Sequence, residues 1–264
     1  MFTDIRVVKE RKHPRQQIIK FSTIVPGIPE PELASHFMPK WFTSLPAHRG
    51  SSEGTHPTAK RCAPLLDVMT AGYIIPLWMD LKITYPEREV RHDLQRVRQK
   101  EVNFVWPDDL HTFKGTPLNR APVIKQGGGV NAKVFFDIDG LDINETVWSL
   151  TSPWIITTPP GYSCLYTIPF NHPITNMHFI SGIVDTDMHL AMVNFPFVWT
   201  SNSWEGIIPS GTPLIQVIPF RRDSFKADIE YLQDDRQTIE SRNAISTLFE
   251  GGYRKKFWER KVWR

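Results

Sequence analysis

Proline is the feature that most constrains what this chain can fold into. Its 22 prolines run from the N-terminal region to the last apolar stretch, and each removes a backbone donor and fixes φ at about −65°. Long packed helices do not tolerate that distribution, whereas short strands turned by proline corners do. The apolar residues agree. In "AGYIIPLWMDLKITYP" Ile75, Leu77, Met79, Leu81 and Ile83 alternate, a period of two that predicts one buried strand face. Strand-like runs recur at "AKVFFDIDG", "SPWIITTPP", "SCLYTIPF", "MHFISGIVD", "HLAMVNFPF" and "TPLIQVIPFRR", at intervals that suit a sandwich or barrel.

With 264 residues, the chain is long enough to bury a substantial core, and it reads as one β-rich body with peripheral arms. Residues 1–60 carry a basic start, the turn "VPGIPEPE", a short helix candidate at "PELASHFMPKWF" and the polar loop "HRGSSEGTHPTAK", the pattern of an irregular N-terminal arm or lid. Residues 61–222 form the expected core domain, within which 86–130 look polar and irregular. Residues 223–264 read as a helix beginning at "DSFKADIEYLQDD", followed by a basic aromatic tail. The expected fold is mainly β, a jelly-roll-like barrel or sandwich with a C-terminal helix.

The formal charge of +3 is too small to mark the whole chain as a nucleic-acid binder, but the basic residues gather at the two ends. In "YRKKFWERKVWR" Arg254, Lys255, Lys256 and Arg260 alternate with Trp258 and Trp263. These six are the candidate assembly residues, an arm that docks on a neighbouring subunit or on nucleic acid. Cys62 and Cys164 are too few for a disulfide framework and lack zinc-ligand spacing, so buried thiols in a reducing compartment are expected. No apolar run approaches the roughly 20 residues needed to span a bilayer. The expectation is a soluble chain made in the cytoplasm.

Four segments taken in order, "TAGYIIPL", "TPPGYSCLY", "SGIVDTDMH" and "IPSGTPLIQVIPF", resemble those that define the dUTPase-like, or β-clip, family. The resemblance covers about residues 70–222 and rests on order and spacing, since each element alone is weak. It implies a β-clip body. Pro160 ahead of Gly161 suits a turn in which a residue of positive φ follows proline, so "TTPPGY" is expected to be a corner aiming one strand into the barrel. Gly211 suits a second turn, and Gln216, alone among apolar neighbours, is expected to hydrogen-bond across the sheet.

In similar enzymes a third-motif aspartate activates the water that attacks a nucleoside triphosphate, with Mg²⁺ bound. Asp185 and Asp187 match those positions, and Tyr73 would lie near the base or sugar. The remaining motifs depart from the family. Met188 stands where it has an aromatic residue, His189 and Leu190 replace a basic residue and glycine, Ile74 replaces an aspartate, and no Arg-Ser pair follows "PPGY". The tail offers only "FEGGYRKK" in place of a glycine-rich arm. Charge-assisted bonds to phosphate are worth about 1.5–3 kcal/mol each, so a site without them binds nucleotide poorly.

The leading expectation is therefore a non-catalytic structural or scaffold protein of a symmetric homo-oligomer, with other assembly proteins as partners and a viral or phage particle, hence a virion, as its setting. No catalytic residue, metal or cofactor is expected. The alternative is a divergent Mg²⁺-dependent nucleoside triphosphate pyrophosphatase using Asp185 or Asp187. A second alternative is a cupin-like non-haem iron enzyme in which His178, Asp185, Asp187 and His189 supply two histidines and a carboxylate; Asp187 and His189 would share a face if they lay on one strand. His172 and Asn171, in "FNHP", could reach a ligand, which leaves Tyr73, His172 and His189 as candidate ligand-binding residues. "KQGGGVN" lacks the Lys-Ser/Thr of a P-loop, "DIDGLDINE" lacks the spacing of a calcium loop, and Ser163 and Cys164 have no base in sequence.

Overall fold

The computed structural model describes residues 17–52, 54–92, 95–105, 123–125, 147–173, 176–201, 203–231, 239, 243, 253–254 and 258–264. Strands β1 (Lys20–Ser22) and β2 (Glu32–Leu33) lead to a short helix α1 (Lys40–Thr43), the pair β3 (His48–Ser51) and β4 (Gly54–Pro57), and helix α2 (Ala63–Met69). β5 (Tyr73–Pro76), β6 (Leu81–Thr84), β7 (Glu87–His92), β8 (Gln95–Lys100), β9 (Asn103–Val105) and β10 (Val123–Lys125) follow. The second half carries β11 (Val147–Thr151), β12 (Ile155–Thr157), β13 (Tyr162–Thr167), β14 (Met177–Phe179), β15 (Gly182–Val184), β16 (Asn194–Trp199), β17 (Gly206–Ile208) and β18 (Pro213–Arg221).

The protein is mainly β, as its proline spacing predicts. A five-stranded sheet runs β15-β13-β18-β5-β2, a four-stranded sheet β10-β11-β16-β14 and a three-stranded sheet β17-β6-β9. β1 pairs with β12, β3 with β4 and β7 with β8. These strands do not close into a barrel among the described residues, so the barrel half of the expectation is not met.

β18 lies at the centre of the five-stranded sheet, and its Leu214, Ile215, Gln216 and Val217 are buried in succession. Burial on both faces explains why this strand reads as a continuous apolar run and not as an alternation. Around it pack Ile75, Leu77, Leu81, Ile83, Leu150, Ile156, Phe197 and Trp199 in one core. Phe104 enters that core edge-on to Trp148, Phe197 and Trp199, with ring centroids 5.0, 5.5 and 5.6 Å away, the T-shaped geometry that the aromatic quadrupole favours. Aromatic abundance thus fills the interior here.

Three sequence expectations need correction. The alternation from Ile75 to Ile83 is two strands in two sheets, β5 and β6, because a corner interrupts it. There Leu77 N–H donates to Thr212 O at 2.8 Å, Gly211 N–H donates to Leu77 O at 2.7 Å, and Asp80 Oδ1 accepts Ser210 N–H at 2.7 Å. "MHFISGIVD" likewise divides, β14 pairing with β16 and β15 with β13. β7 and β8, expected to be irregular, form an antiparallel pair with Glu87 opposite Lys100 and Arg91 opposite Arg96; a strand pair with so few apolar residues carries no periodicity for a sequence reading to detect.

The N-terminal segment is woven into the body. β1 lies against β12 in the register Phe21 opposite Ile156, β2 borders β5, and Val25, Ala34 and Phe42 are buried. The C-terminal segment behaves differently. Asp223–Tyr231, expected to start a helix, is non-helical, belongs to no sheet among the described residues and is exposed throughout. "AKVFFDIDG", "KQGGGVN" beyond its Lys125, "DIDGLDINE" and Lys255, Lys256 and Phe257 lie outside the described residues.

Candidate functional site

The quoted turn "TTPPGY" transfers the chain from β12 to β13, and so from one sheet to another. Tyr162 N–H donates to Pro159 O at 3.2 Å and Gly161 has φ +84°, as a type II turn with proline second and glycine third requires. A Cβ on Gly161 would meet nothing within 4 Å, so the glycine is there for its conformation and not for space.

A second turn lies against this one. β15 ends at Val184, and Met188 and His189 N–H both donate to Asp185 O, at 3.0 and 2.8 Å. Residues 185–189 are therefore a turn and not a strand, which removes the shared face expected of Asp187 and His189. Thr186, buried, joins the two turns: its hydroxyl lies 2.7 Å from that of Thr158, and its carbonyl accepts Thr158 N–H at 3.3 Å. Thr186 also donates to the Cys164 Sγ at 3.4 Å. Burial pushes that thiol up to about 11, so it stays protonated and inert at neutral pH.

Asp187 points into the junction, its side chain only 6% exposed. Its Oδ2 accepts Gly161 N–H at 2.7 Å, and both terminal nitrogens of Arg222 reach its carboxylate, Nη1 to Oδ1 at 2.8 Å and Nη2 to Oδ2 at 2.5 Å. A two-pronged grip of this kind is the strong form of the arginine–carboxylate pair. The Arg222 side-chain bonds, with help from Gly161, hold the Asp187 carboxyl down at about 2. Arg222 Nη1 also donates to Tyr162 O and Ser163 Oγ, both at 3.1 Å, and its backbone N–H donates to Gly161 O at 2.8 Å. Asp185, 61% exposed, lies 3.3 Å from Arg222 and accepts the Ser163 hydroxyl at 2.7 Å.

The two aspartates singled out in the sequence are thus brought together, but around an arginine from the end of β18. The Asp187 carboxylate is nearly buried and already accepts three hydrogen bonds, and an acid near 2 is a weak base at neutral pH. The cluster works chemically as a clamp. It fixes the corner before β13, the turn after β15 and the exit of the chain from β18 at one point.

The other candidates have separate surroundings. Tyr73, on β5, packs edge-on to Phe21 at 5.3 Å and donates its hydroxyl to Arg264 O at 2.7 Å; burial raises its pKa. His172, half-buried, forms with His178, Ile168, Met177, Phe179 and Leu214 the wall of an apolar pocket of about 90 Å³, and desolvation lowers its pKa towards the neutral imidazole. His189 is exposed on the turn. Among the described residues no three His, Cys, Asp or Glu side chains converge as metal ligands, and no helix is long and apolar enough to cross a membrane.

The Gln216 side chain bonds to segments outside its sheet and not, as expected, across it. Buried at the centre of β18, it donates to Val68 O at 3.0 Å and Ala71 O at 2.7 Å, and accepts Phe170 N–H at 2.9 Å. It ties the end of α2 and the loop after β13 to the central strand. The basic tail folds back onto the body: Trp258 Nε1–H and Lys261 Nζ each donate to Asp67 Oδ2 on α2 at 2.8 Å, and Arg254 and Lys261 lie 5.2 and 5.8 Å from the Trp258 ring centroid.

Sequence reading missed Arg222 and Asp67. Arg222 stands in "PFRRD" with nothing to mark it, and only the strand order β15-β13-β18 brings it to Asp187. Comparison with protein-family models, with curated proteins and with solved structures finds no match to this chain.

Proposed function

We propose that the chain is a non-catalytic subunit of a symmetric homo-oligomer, a structural or scaffold protein of the kind that builds a viral or phage particle, on a β-clip- or jelly-roll-like body. The observation that carries this reading is the use of Asp187. One of the two carboxylates that the motif offers for activating water is held by Arg222 and Gly161 at the root of an exposed C-terminal arm. A residue spent on anchoring an arm suits assembly.

Two further features support it. Phe225 and Tyr231 are 92% and 90% exposed, a cost to a lone soluble chain that burial against a neighbour removes. The dUTPase-like motifs keep their turn-forming glycines, with Gly161 and Gly211 at φ +84° and +82°, while the phosphate-binding pair is absent. Turns kept without the phosphate contacts support a body used for assembly.

The test is light scattering of the purified chain together with a panel of deoxynucleoside and ribonucleoside triphosphates with Mg²⁺. A discrete oligomer that releases no pyrophosphate or phosphate is expected. Turnover that Asp185→Asn abolishes would make it a pyrophosphatase with Asp185, the exposed member of the pair, as base. A monomer would remove the assembly role.

A further inference from the structure

The exposed segment after the clamp has a period that no sheet among the described residues uses. In Ser224–Tyr231 the sequence is "SFKADIEY". Phe225, Ala227, Ile229 and Tyr231 occupy the odd positions, and Ser224, Lys226, Asp228 and Glu230 the even ones. Strict alternation over eight residues is the pattern of a half-buried strand. The segment is nonetheless exposed at every residue and joins no sheet among the described residues.

The same molecule has a strand edge in the complementary condition. β15 ends the five-stranded sheet, with β13 on one side and no described strand on the other. Exposed edges are normally guarded by shortness, lysine, proline or a charge; β15 is short, but Gly182-Ile183-Val184 carries no lysine, proline or charge. Ile183 is exposed, and the adjoining turn adds the exposed Met188 and Leu190. Methionine and leucine beside an open edge make an adaptable apolar surface.

We propose that Ser224–Tyr231 is a donor strand that adds to the β15 edge of a second copy of this chain; the proposal rests on the homo-oligomer reading above. The clamp argues for that occupant. Arg222 is bound to Asp187, three residues beyond the end of β15, so the root of the arm and the edge to be covered lie at one place. Within a copy, β13 separates β18 from β15, and the Arg222 N–H bond to Gly161 O keeps the exit on the far side of that strand. Two copies facing each other across a two-fold axis bring each arm root to the other's edge, so that the interface is self-complementary and closes. Main-chain bonds along the edge supply affinity, and Phe225 and Ile229 over Ile183 and Met188 supply selectivity.

Sedimentation of the full-length chain tests this with two variants, Phe225→Asp/Ile229→Asp in the arm and Ile183→Lys on the edge. All three positions are exposed, so each variant should melt as the wild type does. Each is expected to weaken self-association about tenfold or more, while an equimolar mixture of the two, which retains one good arm and one good edge, pairs one to one. Hydrogen exchange on the wild type should slow at amides 182–184 and 224–231 as concentration rises, a readout independent of the variants. Variants that assemble like the wild type, or a mixture that does not pair, would overturn the donor strand while leaving the oligomer standing. A wild-type monomer would overturn both.

Discussion

Asp187 and Arg222 are 35 positions apart and bind through two parallel N–H···O contacts at 2.8 and 2.5 Å. Their pairing joins the turn after β15 to the end of β18 across the intervening β13, and Gly161 N–H completes it from the proline corner. One ion pair therefore sets where three chain segments meet and where the C-terminal arm begins.

The pair gives stability a defined acid limb. Asp187 is lowered from an ordinary 3.8 to about 2, so its contribution is fully present above the unfolded value and lost as pH falls from about 4 towards 2. Wild type should be more stable than Asp187→Asn at neutral pH, and the difference between their urea midpoints should shrink across that window. A difference that stays constant down to pH 2 would mean that the carboxylate is not held by the arginine.

Gly72 is predicted to be intolerant of any side chain. It has φ +67°, and a Cβ there would lie 2.1 Å from Val217 O on the central strand. Gly72→Ala should cost about 3 kcal/mol or more, from strain and from separation of β5 and β18, measured as the change in unfolding free energy. Wild-type stability in this variant would contradict the close approach.

Gln216→Leu should cost about 2–4 kcal/mol, because Val68 O, Ala71 O and Phe170 N–H each lose a buried partner. Gln216→Glu should recover little, since a carboxylate cannot donate to the two carbonyls. Denaturant unfolding of both variants checks this, and a cost below that of an ordinary surface substitution would refute the role given to Gln216.

Asp67→Ala should release the tail. It removes the acceptor of Trp258 and Lys261 at a cost of about 1–2 kcal/mol, most of it from the indole bond because the exposed Lys261 pair contributes little. Faster proteolysis after Lys261 or Arg260 and a red shift in tryptophan emission are expected. An unchanged digestion pattern would show that the tail is held elsewhere.

The sequence exposed the parts of this fold that turns and burial write locally. Gly161 and Gly211 sit at positive φ where a glycine follows "PP" and "PS", and β13, β16 and β18 overlap the apolar runs that announced them. What it concealed depends on partners distant in the chain. The β5–β6 corner is invisible because Leu77 and Trp78 are both buried and so continue an apparent run. The arm at Ser224–Tyr231 reads as a helix in the sequence; its Phe225 and Ile229 fit a four-residue spacing as well as an alternation, and only the surrounding structure separates a period of two from one of 3.6.

The candidate site shows the same division. Asp185 and Asp187 were legible as a pair, whereas their use was not, since Arg222 reaches them only through the strand order of the sheet. The tail was recognisable as a basic aromatic arm, yet its anchor Asp67 is one unremarkable carboxylate on a short helix. Tyr73, His172 and His189 were each conspicuous by chemistry, and the fold gives them three different settings: a hydroxyl under the tail, a pocket wall and open solvent.

The most direct test of the assembly account is sedimentation velocity on the full-length wild-type chain over a range of micromolar concentrations. A discrete oligomer in mass-action equilibrium with monomer, its population rising with concentration, is the predicted result. A single monomeric boundary at every concentration would contradict it.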